Sequence, residues 1–125
     1  LTAADNIGRT NVIPDVGGNR VYKLPTPVAG YYVNFVYGGA AADASNPVIQ
    51  TVSTDNSVFF KGSVTHLDTT ADENVAAVLS NGSSNSKLTL NVPSGIDLHF
   101  LAYSATVWYV WGSVTAGTVP AFADQ

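Results

Sequence analysis

The sequence predicts an all-β fold: an antiparallel β-sandwich, a jelly-roll-like layer pair or a barrel, as a single β domain over residues 1–125 with extended terminal arms. Three observations carry that prediction. Apolar and polar residues alternate along short runs, as Leu88, Leu90 and Val92 do against Thr89 and Asn91. Turn chemistry punctuates the runs at Val16-Gly17-Gly18-Asn19, Leu24-Pro25-Thr26-Pro27, Val28-Ala29-Gly30, Asn81-Gly82 and Pro93-Ser94-Gly95. No window keeps apolar residues at helical spacing without a Gly, a Pro or a β-branched cluster interrupting it.

Taken in order, Leu1 to Asn6 lacks strand periodicity and reads as an N-terminal arm. Tyr31-Tyr32-Val33-Asn34-Phe35-Val36-Tyr37 is a β-branched and aromatic strand closed by Gly38-Gly39. It is apolar or aromatic on both faces except at Asn34, which fits a central strand or an interface strand. Val48 to Thr54 alternates, Asp55-Asn56 turns, and Ser57 to Val64 resumes a strand. Asp72 to Leu79 suits a strand or a short helical turn, and Asn81 to Ser86 is a polar, low-complexity loop expected to be mobile. Asp97 to Tyr103 and Thr106 to Val114 form a closing hairpin around Ser104-Ala105, and Thr115 to Gln125 reads as a C-terminal arm.

Composition narrows the function. Apolar residues make up 46% of 125, enough for a core, whereas charged residues are only 11%, less than half the usual share. A surface of Ser, Thr, Asn, Gly and Ala is easier to desolvate than a charged one, so it suits burial against neighbours. Nine acidic against five basic residues leave no footprint for gripping phosphates, so no nucleic acid is expected as partner. Cysteine is absent, which removes disulfides and thiol chemistry together. No apolar run reaches the ~18 residues of a spanning helix, and no membrane partner is expected.

Few residues point to chemistry. His66 and His99 stand apart, with no His-x-His or His-x-x-x-His spacing, and read as structural or surface residues. Asp68, Asp72 and Glu73 are the densest acidic stretch but lack the Gly and the spacing of a calcium loop. Neither Gly-x-Ser-x-Gly nor a phosphate-binding Gly-rich loop occurs, so no enzyme, cofactor, metal or catalytic residue is expected. Asn81-Gly82-Ser83 matches a glycosylation sequon, which carries meaning only in a secretory pathway. Alternation sends Trp108 and Val110 one way and Tyr109 and Trp111 the other. A sugar platform wants polar flanks, and the sequence neighbours here are Val and Gly. Tyr31, Phe35, Trp108, Tyr109 and Trp111 are therefore read as core or subunit-interface residues, unsorted between the two.

Two blocks carry a family resemblance. Tyr22-Lys23-Leu24-Pro25-Thr26-Pro27-Val28-Ala29-Gly30-Tyr31, leading into Val33 to Val36, resembles the x-L-P-x-P-x-x-G-x-x-x-x-F signature of small β-rich tailed-phage structural proteins. Leu98 to Val114 is similar to their C-terminal hairpin, where a Ser-Asp-Gly turn precedes a Trp-Tyr-Val-x-Gly strand. Phe59 to Val64 occupies the place of an apolar-x-Gly strand, so the resemblance runs from about Gly8 to Val114. Ser104-Ala105-Thr106 departs from Ser-Asp-Gly, and Ala and Thr do not favour left-handed turn positions. The resemblance implies a virion structural protein, a capsid decoration or cement protein on the capsid surface. Its partners would be the major capsid protein lattice and itself, as a homotrimer. The alternative it leaves open is a receptor- or glycan-binding fibre, tail or knob module.

Overall fold

The alternating runs become strands with shifted ends, and strands also form at Thr10–Ile13, Val21–Lys23 and Ala121–Ala123, where no run is read as one from sequence. A computed structural model describes residues 1–70 and 74–125. One turn of helix, α1 (Ala3–Asn6), is followed by β1 (Thr10–Ile13), β2 (Val21–Lys23), β3 (Tyr32–Tyr37), β4 (Val48–Gln50) and β5 (Phe59–Asp68). Then come β6 (Val75–Leu79), β7 (Lys87–Thr89), β8 (Pro93–Ala102), β9 (Val107–Ala116) and β10 (Ala121–Ala123). They form a six-stranded sheet in the order β1-β3-β8-β9-β5-β6 and a four-stranded sheet in the order β10-β7-β4-β2.

The inner faces of both sheets bury one core. Val33 and Phe35 of β3, Leu98 and Phe100 of β8 and Trp108 and Val110 of β9 meet Ile49 and Leu88 from the smaller sheet, all fully buried. Phe100 is its hub: its ring centroid lies 5.7 Å from Phe35 at 87° and 5.5 Å from Phe60. Edge-to-face pairs of this kind add about 0.5–1.5 kcal/mol each beyond area burial. The core therefore sits under β3, β8, β9 and β5, and the opposite face of those strands is left outward.

The fold is all-β with a sandwich-like pair of sheets. Neither sheet closes on itself, which removes the barrel from the expected set. The purely antiparallel expectation is corrected as well. β1–β3, β2–β4 and β5–β9 pair in parallel, so both sheets are mixed. Short runs cannot reveal this, because the period of two is the same in either pairing.

Both predicted arms turn out to be tied down. Thr2 caps α1 through its hydroxyl, the Leu1 amino group donates to the Lys23 carbonyl at 3.0 Å, and Gly8 N–H donates to Tyr32 O at 2.7 Å. At the other end Thr115 and Ala116 complete β9, and β10 pairs with β7, so this stretch is part of the sheets. Gln125 Nε2 donates to Ser53 O at 2.7 Å, Thr51 Oγ1 at 3.0 Å and Ser86 O at 3.1 Å. Short side chains without periodicity look like an arm, yet here they satisfy the buried polar groups Thr51 and Ser86.

The loop expected to be mobile is knotted for a similar reason. Asn81 Oδ1 accepts from the N–H groups of Ser83, Ser84 and Asn85, and Asp124 accepts from Ser84 and Asn85. Asn81 works there as a turn cap. Of the ambiguous segment Asp72 to Leu79, Val75–Leu79 is strand and Asp72 and Glu73 lie outside the described residues.

Two glycines let the ladder close around β9. Gly62 (φ +113°) and Gly112 (φ +124°) sit so near neighbouring strands that a Cβ would lie 2.2 Å from Val110 O and 2.1 Å from Asp97 O respectively. Both constraints are backbone against backbone, which no rotamer change relieves. Replacing Gly112 by Val should therefore cost about 3 kcal/mol or more, from strain plus overpacking. Urea denaturation checks this, and a variant as stable as the parent would contradict the register.

Candidate functional site

The outer face of the six-stranded sheet collects side chains in cross-strand rows. The first row runs Tyr32, Leu101, Tyr109 and Lys61 across β3, β8, β9 and β5. The next runs Thr10, Asn34, His99 and Trp111, and the third Val12, Val36, Asp97, Ser113 and Thr65. Tyr109 is 45% and Trp111 39% exposed, whereas Trp108, one residue from Tyr109 and three from Trp111, is fully buried. One step along β9 thus separates the core from the site.

His99 organises the aromatic row. Its ring stacks on Trp111 at 5.3 Å and 13°, and on Tyr32 at 6.0 Å and 28°. Its Nε2 lies 3.0 Å from Asp97 Oδ1, and its Nδ1 meets the Tyr32 hydroxyl. With the proton on Nε2, His99 donates to Asp97 and accepts from Tyr32, which satisfies both ring nitrogens. Tyr109 packs at 6.2 Å from Trp111 on the same strand, extending the row along the chain. β9 is flanked on its other side by β5, whose Ser63 is paired with Leu79 of β6. Here the polar flanks of Trp111 come from the adjacent strand.

The five residues singled out from sequence divide between two places. Phe35 and Trp108 are fully buried, and Tyr31 packs partly buried against the same core. Tyr109 and Trp111 lie on the outer face. Tyr32, Asp97 and His99, which surround Trp111 on this face, are not among those five, and His99 is read from sequence only as a structural or surface residue. The available signal was shared parity: His99 and Asp97 fall two residues apart in a strand predicted to pair with the Trp111 strand.

Other ionisable groups stay apart from this row. His66 is buried and places its Nε2 2.9 Å from Ala116 O. Asp68 caps a turn, accepting from Thr70 N–H at 2.8 Å, and that hydrogen bond leads in holding its carboxyl below the usual range. Among the described residues no three His, Cys, Asp or Glu come together as a metal site would require. A depression of about 330 Å³ lies near Val92, Thr69, Thr70, Ser94 and Thr118, lined by hydroxyls and methyls. Comparisons of the chain with family models, curated proteins and solved structures found no match.

Two measurements separate core from site and locate the acid response. Trp108→Ala should lose about 3–5 kcal/mol of stability, the usual range for emptying a core aromatic. Trp111→Ala should lose only about 1 kcal/mol or less, and equal losses in thermal or urea unfolding would contradict the assignment of faces. Asp55 is held down to about 2, first by the Ser53 hydroxyl and then by Ser57. A depressed folded pKa stabilises above the unfolded value of 3.8 and loses that contribution as pH falls toward about 2. Stability should therefore decline on acidification through that window, and Asp55→Asn should flatten the decline in urea unfolding followed between pH 5 and pH 2.

Proposed function

We propose that this protein is a non-enzymatic structural module of a phage particle, a capsid decoration or cement protein that packs on the outside of an assembled shell. In this reading its two sheets are the layers of a jelly-roll-like surface module. The observation that carries the reading is the outer face of the six-stranded sheet. It exposes Tyr109, Trp111 and Leu101 together with Val12, and no described element of the chain covers it. Apolar patches of this kind mark contact surfaces, and Trp and Tyr are the side chains that dominate contact energy. The low charge of the chain lowers the desolvation cost of such contact. The family resemblance supplies the setting: the major capsid protein lattice as partner, the virion surface as location, three-fold clusters as the assembly. Many copies on one lattice hold firmly even where each contact is modest.

A second reading has one specific observation in its favour. Asp97 and His99 on β8 and Asn34 on β3 share the face of Trp111, giving hydrogen-bonding groups beside an aromatic surface. That combination suits a glycan, and with it a receptor-facing fibre or knob module. The two readings separate on purified particles. A decoration protein is present on the order of hundreds of copies per particle, the number from which lattice avidity derives, and a fibre in far fewer. Quantitative mass spectrometry of the particles gives the copy number. Trp111→Ala should then abolish binding to stripped shells while the circular dichroism spectrum is unchanged. Undiminished shell binding by that variant would overturn the docking face, and soluble oligosaccharide competing the protein off would favour the glycan reading.

A further inference from the structure

The free edge of β6 differs from the other sheet edges. Asp68 N–H donates to Asn74 O and Ser80 N–H donates to Gly62 O, which fixes Asn74, Ala76, Val78 and Ser80 as the residues hydrogen-bonded to β5. By alternation the N–H and C=O groups of Val75, Ala77 and Leu79 point away from β5, and no described residue pairs with them. The strand is Val75-Ala76-Ala77-Val78-Leu79, with Val75 61% and Leu79 69% exposed. The other edges carry charge on or beside the strand: β1 follows Arg9, β2 contains Lys23 and β10 precedes Asp124. Charge and proline are the usual guards of a sheet edge; Val75–Leu79 contains neither, and its immediate sequence neighbours, Asn74 and Ser80, are uncharged.

We propose that β6 is a self-association strand, which pairs antiparallel with β6 of a second copy of this chain about a two-fold axis through Ala77. The sequence is complementary to itself in that register. Ala77 faces its symmetry mate, Val75 faces Leu79 of the second copy, and Ala76 faces Val78, a small residue against a larger one. The outward N–H and C=O groups of Val75, Ala77 and Leu79 then all find partners, about six hydrogen bonds in all. No charges oppose one another across the axis, and β2, by contrast, carries the charge of Lys23 within the strand. The six-stranded sheets of both copies become one continuous sheet. Because the two-fold axis of an antiparallel pair is perpendicular to the sheet, both Trp111 rows face the same side. Counting strands, they stand roughly 24 Å apart before twist. The association rests on the edge alone and not on what the outer face binds. It makes a pair the unit of the free protein in solution, whereas the three-fold cluster that the resemblance implies is an arrangement on the assembled shell.

A strand-edge contact of this size is of the transient class, so it is read at high concentration. Sedimentation velocity of the intact chain from about 10 μM to 1 mM should show a monomer–dimer equilibrium. Amide hydrogen exchange over the same range should slow at Val75, Ala77 and Leu79, while Ala76 and Val78 are protected throughout. Ala77→Pro removes an N–H that β5 does not use, and Ala77→Lys sets two ammonium groups against each other across the axis. Each should keep the monomer folded by circular dichroism and weaken dimerisation about tenfold or more. Should either variant fail to fold, the exchange pattern of the parent chain decides alone. A monomer throughout, a trimer, or a dimer whose Val75, Ala77 and Leu79 amides stay unprotected would overturn the proposal. Shell binding by Trp111→Ala tests a different face, so the two results are independent.

Discussion

The register of the β8–β9 hairpin is the constraint from which the rest of the molecule follows. His99 stands opposite Trp111 and Phe100 opposite Val110, with Ala102 opposite Trp108. A slip of one residue would move every side chain of β9 to the other face, putting Tyr109 and Trp111 into the core and Trp108 into solvent. Several features pin the register. Tyr103 N–H donates to Val107 O, closing a three-residue loop of Ser104, Ala105 and Thr106. Gly112 admits the Asp97 carbonyl where a side chain would be displaced, and Gly62 does the same for Val110 on the other flank of β9. The parallel pairing with β5 then holds β9 from its second side.

Much of this layout is legible in the chain. The Tyr31 to Tyr37 run, the burial of Leu88 and Leu90 and the opposite facing of Trp108 and Trp111 follow a period of two, whereas Val92, expected to alternate with them, lies beyond β7, exposed and at φ +46°. What alternation cannot carry is partnership. Centring the hairpin on Ser104-Ala105 places the axis half a residue early, and that is enough to hide His99 as the partner of Trp111. The turn itself needs no left-handed residue: no positive φ falls on Ser104, Ala105 or Thr106, and the Ser104 hydroxyl accepts from Thr106 N–H at 3.2 Å. That removes the objection to Ala and Thr at this turn. Parallel pairing of β5 with β9 joins strands far apart in sequence, which local patterning does not encode. Gln125 and Asn81 were illegible for a related reason, since a polar side chain shows its value only against the carbonyls and amides that surround it.

The ends of the sandwich show how a chain short of charge satisfies its polar groups. Asp43 is fully buried, yet its carboxylate accepts from Ser45 N–H at 2.8 Å and its own N–H donates to Pro93 O. Thr51 and Ser86 are held by Gln125 and Asn56 at the opposite end. These networks use amides and hydroxyls where other proteins use ion pairs, so they lose little of their strength to salt. With only three lysines and one glutamate in the chain, few such charges are left to keep neighbours apart.

If the outer face is the contact surface proposed above, the geometry of its aromatic row suits interdigitating side chains better than a stacked sugar. Two rings lying side by side in one plane cannot bring their centroids to 5.3 Å, so His99 and Trp111 stand face to face across the gap between β8 and β9. A row of upright rings presents edges and grooves rather than a tabletop. A pyranose stacking on the indole would find one face already taken by His99. Side chains from another sheet or a loop can interdigitate with such ridges, as the inner faces of stacked sheets do. The stacking also explains how the free molecule tolerates the row, because each ring already shields part of its neighbour from water while its outer edge stays available for contact.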